Sequence, residues 1–121
     1  NVLIMNLSSF TEQGISNTAW AYATLGHQDE VLFKAIAAAA LTKLSTFKEQ
    51  GLSNTAWAFA KLGYHDGDLF NAISAAALLK LSALKEQHLS NIAWAFATLG
   101  HYDEDLFEAI AVAAIPQMCT F

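Results

Sequence analysis

The sequence predicts an all-α protein, a right-handed α-solenoid of 37-residue helical-hairpin repeats, on three observations. Tryptophan falls at 20, 57 and 94, and Ser16-Asn17-Thr18-Ala19-Trp20-Ala21 recurs around it as Ser53-Asn54-Thr55-Ala56-Trp57-Ala58 and Ser90-Asn91-Ile92-Ala93-Trp94-Ala95. The columns Gly26, Gly63, Gly100 and Phe33, Phe70, Phe107 keep the same spacing without insertion. The apolar positions between them follow helical spacing. A fixed period of this length marks a unit that cannot bury its apolar face alone, so each copy must stack on its neighbours.

The register gives copies at 8–44, 45–81 and 82–118, with partial copies at 1–7 and 119–121, in a single segment over 1–121. Within each copy a lead-in comes first. Ser9-x-x-Glu12 and Thr46-x-x-Glu49 have capping-box spacing and run to Gly14 and Gly51, which predicts one extra helical turn. Ala83 and His88 replace both signals in the third copy, where a looser turn is expected. Ser16, Ser53 and Ser90 stand at the expected N-cap of a first helix. That helix runs from Asn17 to Leu25 in the first copy, and Gly26, Gly63 and Gly100 supply its left-handed stop. Asp29, Asp66 and Asp103 then cap a longer second helix, with Leu32, Phe33, Ile36, Ala39, Ala40 and Leu44 on its apolar face.

Alanine explains the stacking. Ala19, Ala21, Ala23 and the run Ala37 to Ala40 let backbones approach where Leu or Ile would hold them apart. Trp20, Trp57 and Trp94 are read as filling the remaining core, in preference to a base-stacking role, together with Phe33, Phe70 and Phe107. Both ends fall within a copy, so the apolar residues Leu3, Ile4, Leu7, Ile110, Ile115 and Met118 are expected at uncovered faces, as in a slice of a longer array.

Composition narrows the function. With 55% apolar residues and one proline there is material for a continuous core. The longest apolar stretches, such as residues 35–41, are far shorter than the roughly twenty residues of a spanning helix. The net charge is -5, with no arginine. The third copy carries most of it, in Glu86, Asp103, Glu104, Asp105 and Glu108. Such a balance argues against a strong polyanion site, since phosphates are met by Lys and Arg. The lone Cys119 excludes an internal disulfide.

No catalytic, metal or cofactor constellation is expected. His27, His65 and His101 lie beside Asp29, Asp66 and Asp103, but they recur as turn residues, whereas an active site gathers different groups once. The cluster Asp103-Glu104-Asp105 suits a helix N-terminus. One polar stripe remains on the first helices: Asn17, Ala21 and Thr24, with Asn54, Ala58, Lys61 and Asn91, Ala95, Thr98. These are the candidate groove, with Lys48 and Lys85 at its edge. Asn17, Asn54 and Asn91 equally suit backbone bridging between copies, and both roles stay open.

The pattern Gln-x-[Ile/Leu]-Ser-Asn-Thr-Ala-Trp-Ala-[Tyr/Phe]-Ala-x-Leu-Gly-His, followed by Asp-x-x-Leu-Phe-x-Ala-Ile, resembles the octatricopeptide-type repeats and the repeats beside RAP domains in organelle gene-expression factors. The resemblance covers essentially the whole chain. It implies a non-enzymatic α-solenoid that binds single-stranded RNA in a chloroplast or mitochondrion, with Asn17, Thr24, Asn54, Lys61, Asn91, Thr98, Lys48 and Lys85 as candidate contacts. The alternative is a scaffold or structural subunit that holds another protein along the same surface.

Overall fold

A computed structural model describes residues 7–118, so the expectations for Leu3, Ile4 and Cys119 lie outside the described residues. Within that range the chain is helical: α1 (Glu12–Leu25), α2 (Glu30–Lys43), α3 (Glu49–Leu62), α4 (Gly67–Leu79), α5 (Glu86–Thr98) and α6 (Glu104–Met118). Short 3-10 turns at Leu7–Ser9, Leu44–Thr46 and Leu81–Ala83 precede the odd-numbered helices. No strand occurs among the described residues. Helices α1, α3 and α5 lie side by side in extensive contact, while α2, α4 and α6 pack behind them and meet one another more sparingly.

The odd-numbered helices begin four residues before Ser16, Ser53 and Ser90, which corrects the predicted start. Thr11 caps α1, its hydroxyl accepting from the Gly14 N–H at 3.1 Å. Ser16 instead donates to the Gln13 carbonyl at 3.2 Å and is buried between helices, as is Ser53. Gly14 and Gly51 lie inside helices and end nothing. At Gly51 a Cβ would stand 2.9 Å from a Glu12 carboxylate oxygen and 3.3 Å from the Phe47 ring, so the glycine serves close helix approach. The turn expected from Ser9 to Gly14 and from Thr46 to Gly51 is the first turn of each odd helix, with the cap at Thr11 and Lys48 rather than at Ser9 and Thr46. In the third segment the first turn of α5 is held rather than loosened, because His88 Nδ1 accepts from the Lys85 N–H at 3.1 Å.

The helix stops agree with expectation. Gly26, Gly63 and Gly100 have φ of 68°, 78° and 67°. At each, two N–H groups turn back onto the last carbonyls, as when His27 donates to Tyr22 and Gly26 donates to Ala23, both at 3.0 Å. Asp29, Asp66 and Asp103 cap the even-numbered helices, accepting from Leu32, Leu69 and Leu106 at 3.0, 2.9 and 3.0 Å.

Phenylalanine rather than tryptophan fills the core. Phe33 packs on Phe59 with ring centroids 4.9 Å apart, Phe70 packs on Phe96 at the same distance, and Phe47 is fully buried. Phe107 is part-buried and stacks on Tyr102 at 6.0 Å. The expected tryptophan core is corrected: Trp20 is 47% exposed, Trp94 is 44% exposed, and Trp57 is only part-buried against the cluster. The physical reason is close packing: the small side chains beside each indole fill the gaps between odd helices, so no space of indole size remains there. Of the residues expected at uncovered faces, Ile115 is exposed, whereas Leu7 and Ile110 are buried.

Candidate functional site

One face of each odd helix carries a repeated polar and aromatic set. Because α1 begins at Glu12, Gln13, Asn17, Trp20 and Thr24 share a face at spacings of four, three and four residues. Gln50, Asn54, Trp57 and Lys61 do so on α3, and Gln87, Asn91, Trp94 and Thr98 on α5. Side-by-side packing of the three helices sets these rows in parallel. The result is a groove of about 560 Å³. Asn17, Asn54 and Asn91 run along it, with Trp20 and Trp57 on one side and Gln50 and Gln87 on the other.

The small residues between the rows hold the geometry. Ala58 and Ala95 are fully buried against the preceding odd helix, while Ala21, with no such helix before it among the described residues, is exposed. Side-chain hydrogen bonds tie the polar rows together. Gln50 donates its amide to Asn54 Oδ1 at 2.8 Å. Asn91 Nδ2 donates to the Ser53 hydroxyl at 3.3 Å, and His88 Nε2 meets Gln50 Oε1 at 3.3 Å, both spanning α5 and α3. Thus Asn91 does bridge between helices, to a side chain rather than to backbone, while also lining the groove.

The structure unites only part of the expected stripe. Asn17, Asn54 and Asn91 line the groove, and Lys48 lines a smaller adjoining hollow with Asn17, Gln13 and Glu12. Thr24, Lys61 and Thr98 are exposed further along the same helices, beyond the residues that line the groove. Lys85 is exposed at the start of α5. Gln50, Gln87, Trp20 and Trp57 were missed as site residues. For the glutamines the signal was present, four residues before each asparagine, but a helix assumed to start at Ser16 leaves them outside it. For the tryptophans, an apolar ring on an apolar helix implies burial, and the open edge of an aromatic stripe reads identically in sequence.

The opposite ends of the odd helices carry a separate polar seam. Gln28 Nε2 donates to the Leu62 carbonyl at 3.1 Å, His65 Nε2 meets His101 Nδ1 at 2.7 Å, and His101 Nε2 meets Asn71 Oδ1 at 2.9 Å. His27 stands apart from that pair, edge-on to Tyr22 at 5.4 Å. The buried Ser74 hydroxyl donates to Asp103 Oδ2 at 2.6 Å, and this bond, with the Leu106 N–H, holds the Asp103 carboxyl below its ordinary value. These contacts tie consecutive turns together and lie away from the groove residues in sequence and on their helices. Among the described residues no cluster of three or more His, Cys, Asp or Glu side chains is placed to hold a metal ion, and no helix is long and apolar enough to cross a membrane.

No curated protein matches this sequence. The model of the RNA-editing substrate-binding complex 6 protein family does match it, over residues 4–107. That finding corrects the family resemblance, because the match is to a different RNA-related helical family from the octatricopeptide and RAP-associated repeats. A helical body with three parallel Gln-Asn-Trp rows, matched over most of its length, therefore belongs to the RNA-editing substrate-binding complex 6 protein family.

Proposed function

We propose that the chain is a non-enzymatic helical-repeat subunit of an RNA-editing substrate-binding assembly, and that it holds single-stranded RNA along the groove of α1, α3 and α5. The observation that carries this reading is one continuous groove in which the half-exposed Trp20 and the part-buried Trp57 stand beside the amides of Asn17, Gln50, Asn54, Gln87 and Asn91. Tryptophan left open to solvent in a body that fully buries Phe33, Phe47, Phe59, Phe70 and Phe96 offers a flat stacking surface, and such surfaces serve unpaired bases, whose faces are free. The amides beside them supply donors and acceptors for base edges. Lys48, Lys61 and Lys85 on the same helices or their caps supply the cations for phosphate.

The proposal includes the architecture and its setting. The 37-residue units at 8–44, 45–81 and 82–118 form a right-handed α-solenoid within one body over 1–121, and the family name supports a mitochondrial site of action. A second reading, in which another polypeptide occupies the groove of a scaffold protein, draws on the net charge of -5 and the absence of arginine.

Titration of labelled single-stranded RNA at low salt, followed by anisotropy and by tryptophan emission, tests the proposal. Binding with quenching is expected, and Trp20→Ala combined with Trp57→Ala abolishes it while the helical circular dichroism persists. Failure of the folded protein to bind rejects RNA and leaves the scaffold reading.

A further inference from the structure

The packing between successive units buries matching rings. Phe33 of α2 packs on Phe59 and Tyr64 of the next unit, with centroids 4.9 and 5.0 Å apart, and Phe70 of α4 packs on Phe96 and His101 at 4.9 and 5.9 Å. Phe107 comes third in that column and has no such pair among the described residues. It lies instead with Phe96, Ala97, Gly100, His101 and Tyr102 around an open, largely apolar hollow of about 320 Å³. The rings that stand 37 residues before Phe59 and Tyr64 are Tyr22 and His27, edge-on to each other at 5.4 Å. Tyr22 is only part-buried and His27 is exposed.

The odd helices show the same division. Ser16, Ala19 and Ala23 of α1 are buried, as are Ser53, Ala56 and Ala60 of α3. Their counterparts on α5 are not, since Ser90 and Ala97 are exposed and Ala93 is only part-buried. Helix α6 lies behind α5 as α2 lies behind α1, so what α5 lacks is a following odd helix. The converse holds at the other end of the layer. Ala58, Phe59 and Leu62 of α3 are buried, whereas Ala21 is exposed and Leu25 is 82% exposed. Residues 90, 93 and 97 share one helical face, and 21, 22 and 25 share another.

We propose that the protein stacks head to tail on a second copy of itself, the face of Ser90, Ala93, Ala97 and Phe107 receiving the face of Ala21, Tyr22 and Leu25 of that copy. The argument for this occupant is continuity: the joint repeats, at the same columns, a packing that the chain makes between α1 and α3 and again between α3 and α5. Small residues at 90, 93 and 97 admit a helix at close approach, and Ala21 lets α1 come that near. Tyr22 and His27 of the second copy then enter the hollow on Phe107. Asn17 of that copy reaches the Ser90 hydroxyl, as Asn91 reaches Ser53 at 3.3 Å. The two faces differ, so the contact is heterologous, each pair keeps a free face at either end, and assembly proceeds past the dimer. The inference is independent of what the groove holds.

Sedimentation velocity of the protein alone over a range of concentrations tests the proposal, under reductant so that Cys119 cannot cross-link copies. The average mass is expected to rise through dimer to larger species. Ala97→Arg blocks one face and Ala21→Arg the other, and both sites are exposed, so each variant keeps its helical circular dichroism and sediments as a monomer. Mixed together, the two variants form a one-to-one dimer and nothing larger, because each retains the face that the other has lost. Ser90→Arg and Leu25→Arg repeat the test on the same two faces if either first substitution unfolds the chain. A protein that stays monomeric at the highest concentration reached overturns the proposal and leaves those faces to a different partner. Association that survives in both single variants, or variants that fail to pair when mixed, overturns it as well.

Discussion

At the scale of single residues, two buried hydroxyls differ in consequence. Thr55 is completely buried in α3 and its hydroxyl makes no hydrogen bond, while Ile92 occupies the same column 37 residues on and is equally buried. Leaving a buried hydroxyl unpaired costs about 1–3 kcal/mol. Thr55→Val should therefore raise stability by about 1 kcal/mol in a urea melt, and a lowered midpoint would remove this account. Ser74 is buried too, but it donates to Asp103. Ser74→Ala should cost about 1 kcal/mol at neutral pH, toward the low end for a bond to a charged group because the carboxylate is largely solvated. The hydrogen bonds from Ser74 and the Leu106 N–H hold the Asp103 carboxyl below its ordinary value in the folded state, so the stability it contributes is present above the unfolded value and lost as pH falls through the folded one. Denaturant melts of Ser74→Ala and the parent protein should therefore converge as pH falls through the depressed Asp103 range, and a constant difference would assign the cost to packing.

At the scale of elements, helix ends and helix faces were not equally legible. The stops at Gly26, Gly63 and Gly100 could be read because a left-handed residue has one ready chemical solution, and the Asp caps because an oxygen one residue before a helix has one ready use. The odd helix starts could not, because Ser16, Ser53 and Ser90 look like caps but lie four residues inside their helices, Ser16 and Ser53 buried between helices and Ser90 exposed with its hydroxyl on the Gln87 carbonyl. Gly63 lies in open space at its φ of 78°, so Gly63→Ala meets no clash and should cost only the backbone term, about 1–2 kcal/mol. The aromatic faces were misread for a related reason, since ring type does not report which neighbour is close. Their energetics should differ accordingly. Phe59→Ala, which empties a site against Phe33, should cost about 3–5 kcal/mol. Trp20→Ala should cost less, about 1–2 kcal/mol, with about half of its surface already in water. Thermal melts that rank the two in the opposite order would return the indoles to the core.

At the scale of the whole molecule, composition constrained the ligand more than the pattern did. Only Lys48, Lys61 and Lys85 stand near the groove's helices, so about three phosphates can be neutralised, and the log–log salt dependence of RNA binding should be shallow, with a slope of about -2. Lys61→Glu should weaken binding and flatten that slope. A slope of -5 or steeper in salt titrations would mean that cations outside these helices carry the contact. The Asn row was legible because a lone polar stripe on an apolar helix needs a reason, but its union with Gln and Trp into one groove depends on helix starts that the residues do not announce.

The unequal contact between the two helix layers has a mechanical meaning. Helices α1, α3 and α5 are joined along their lengths by alanine, serine and glycine, so they resist separation, while α2, α4 and α6 touch sparingly and can part at lower cost. When the body flexes, strain gathers in the even layer and the odd layer behaves as a spine. The interval from Asn17 to Asn54 to Asn91 is then a ruler whose divisions stay fixed while the protein around it bends.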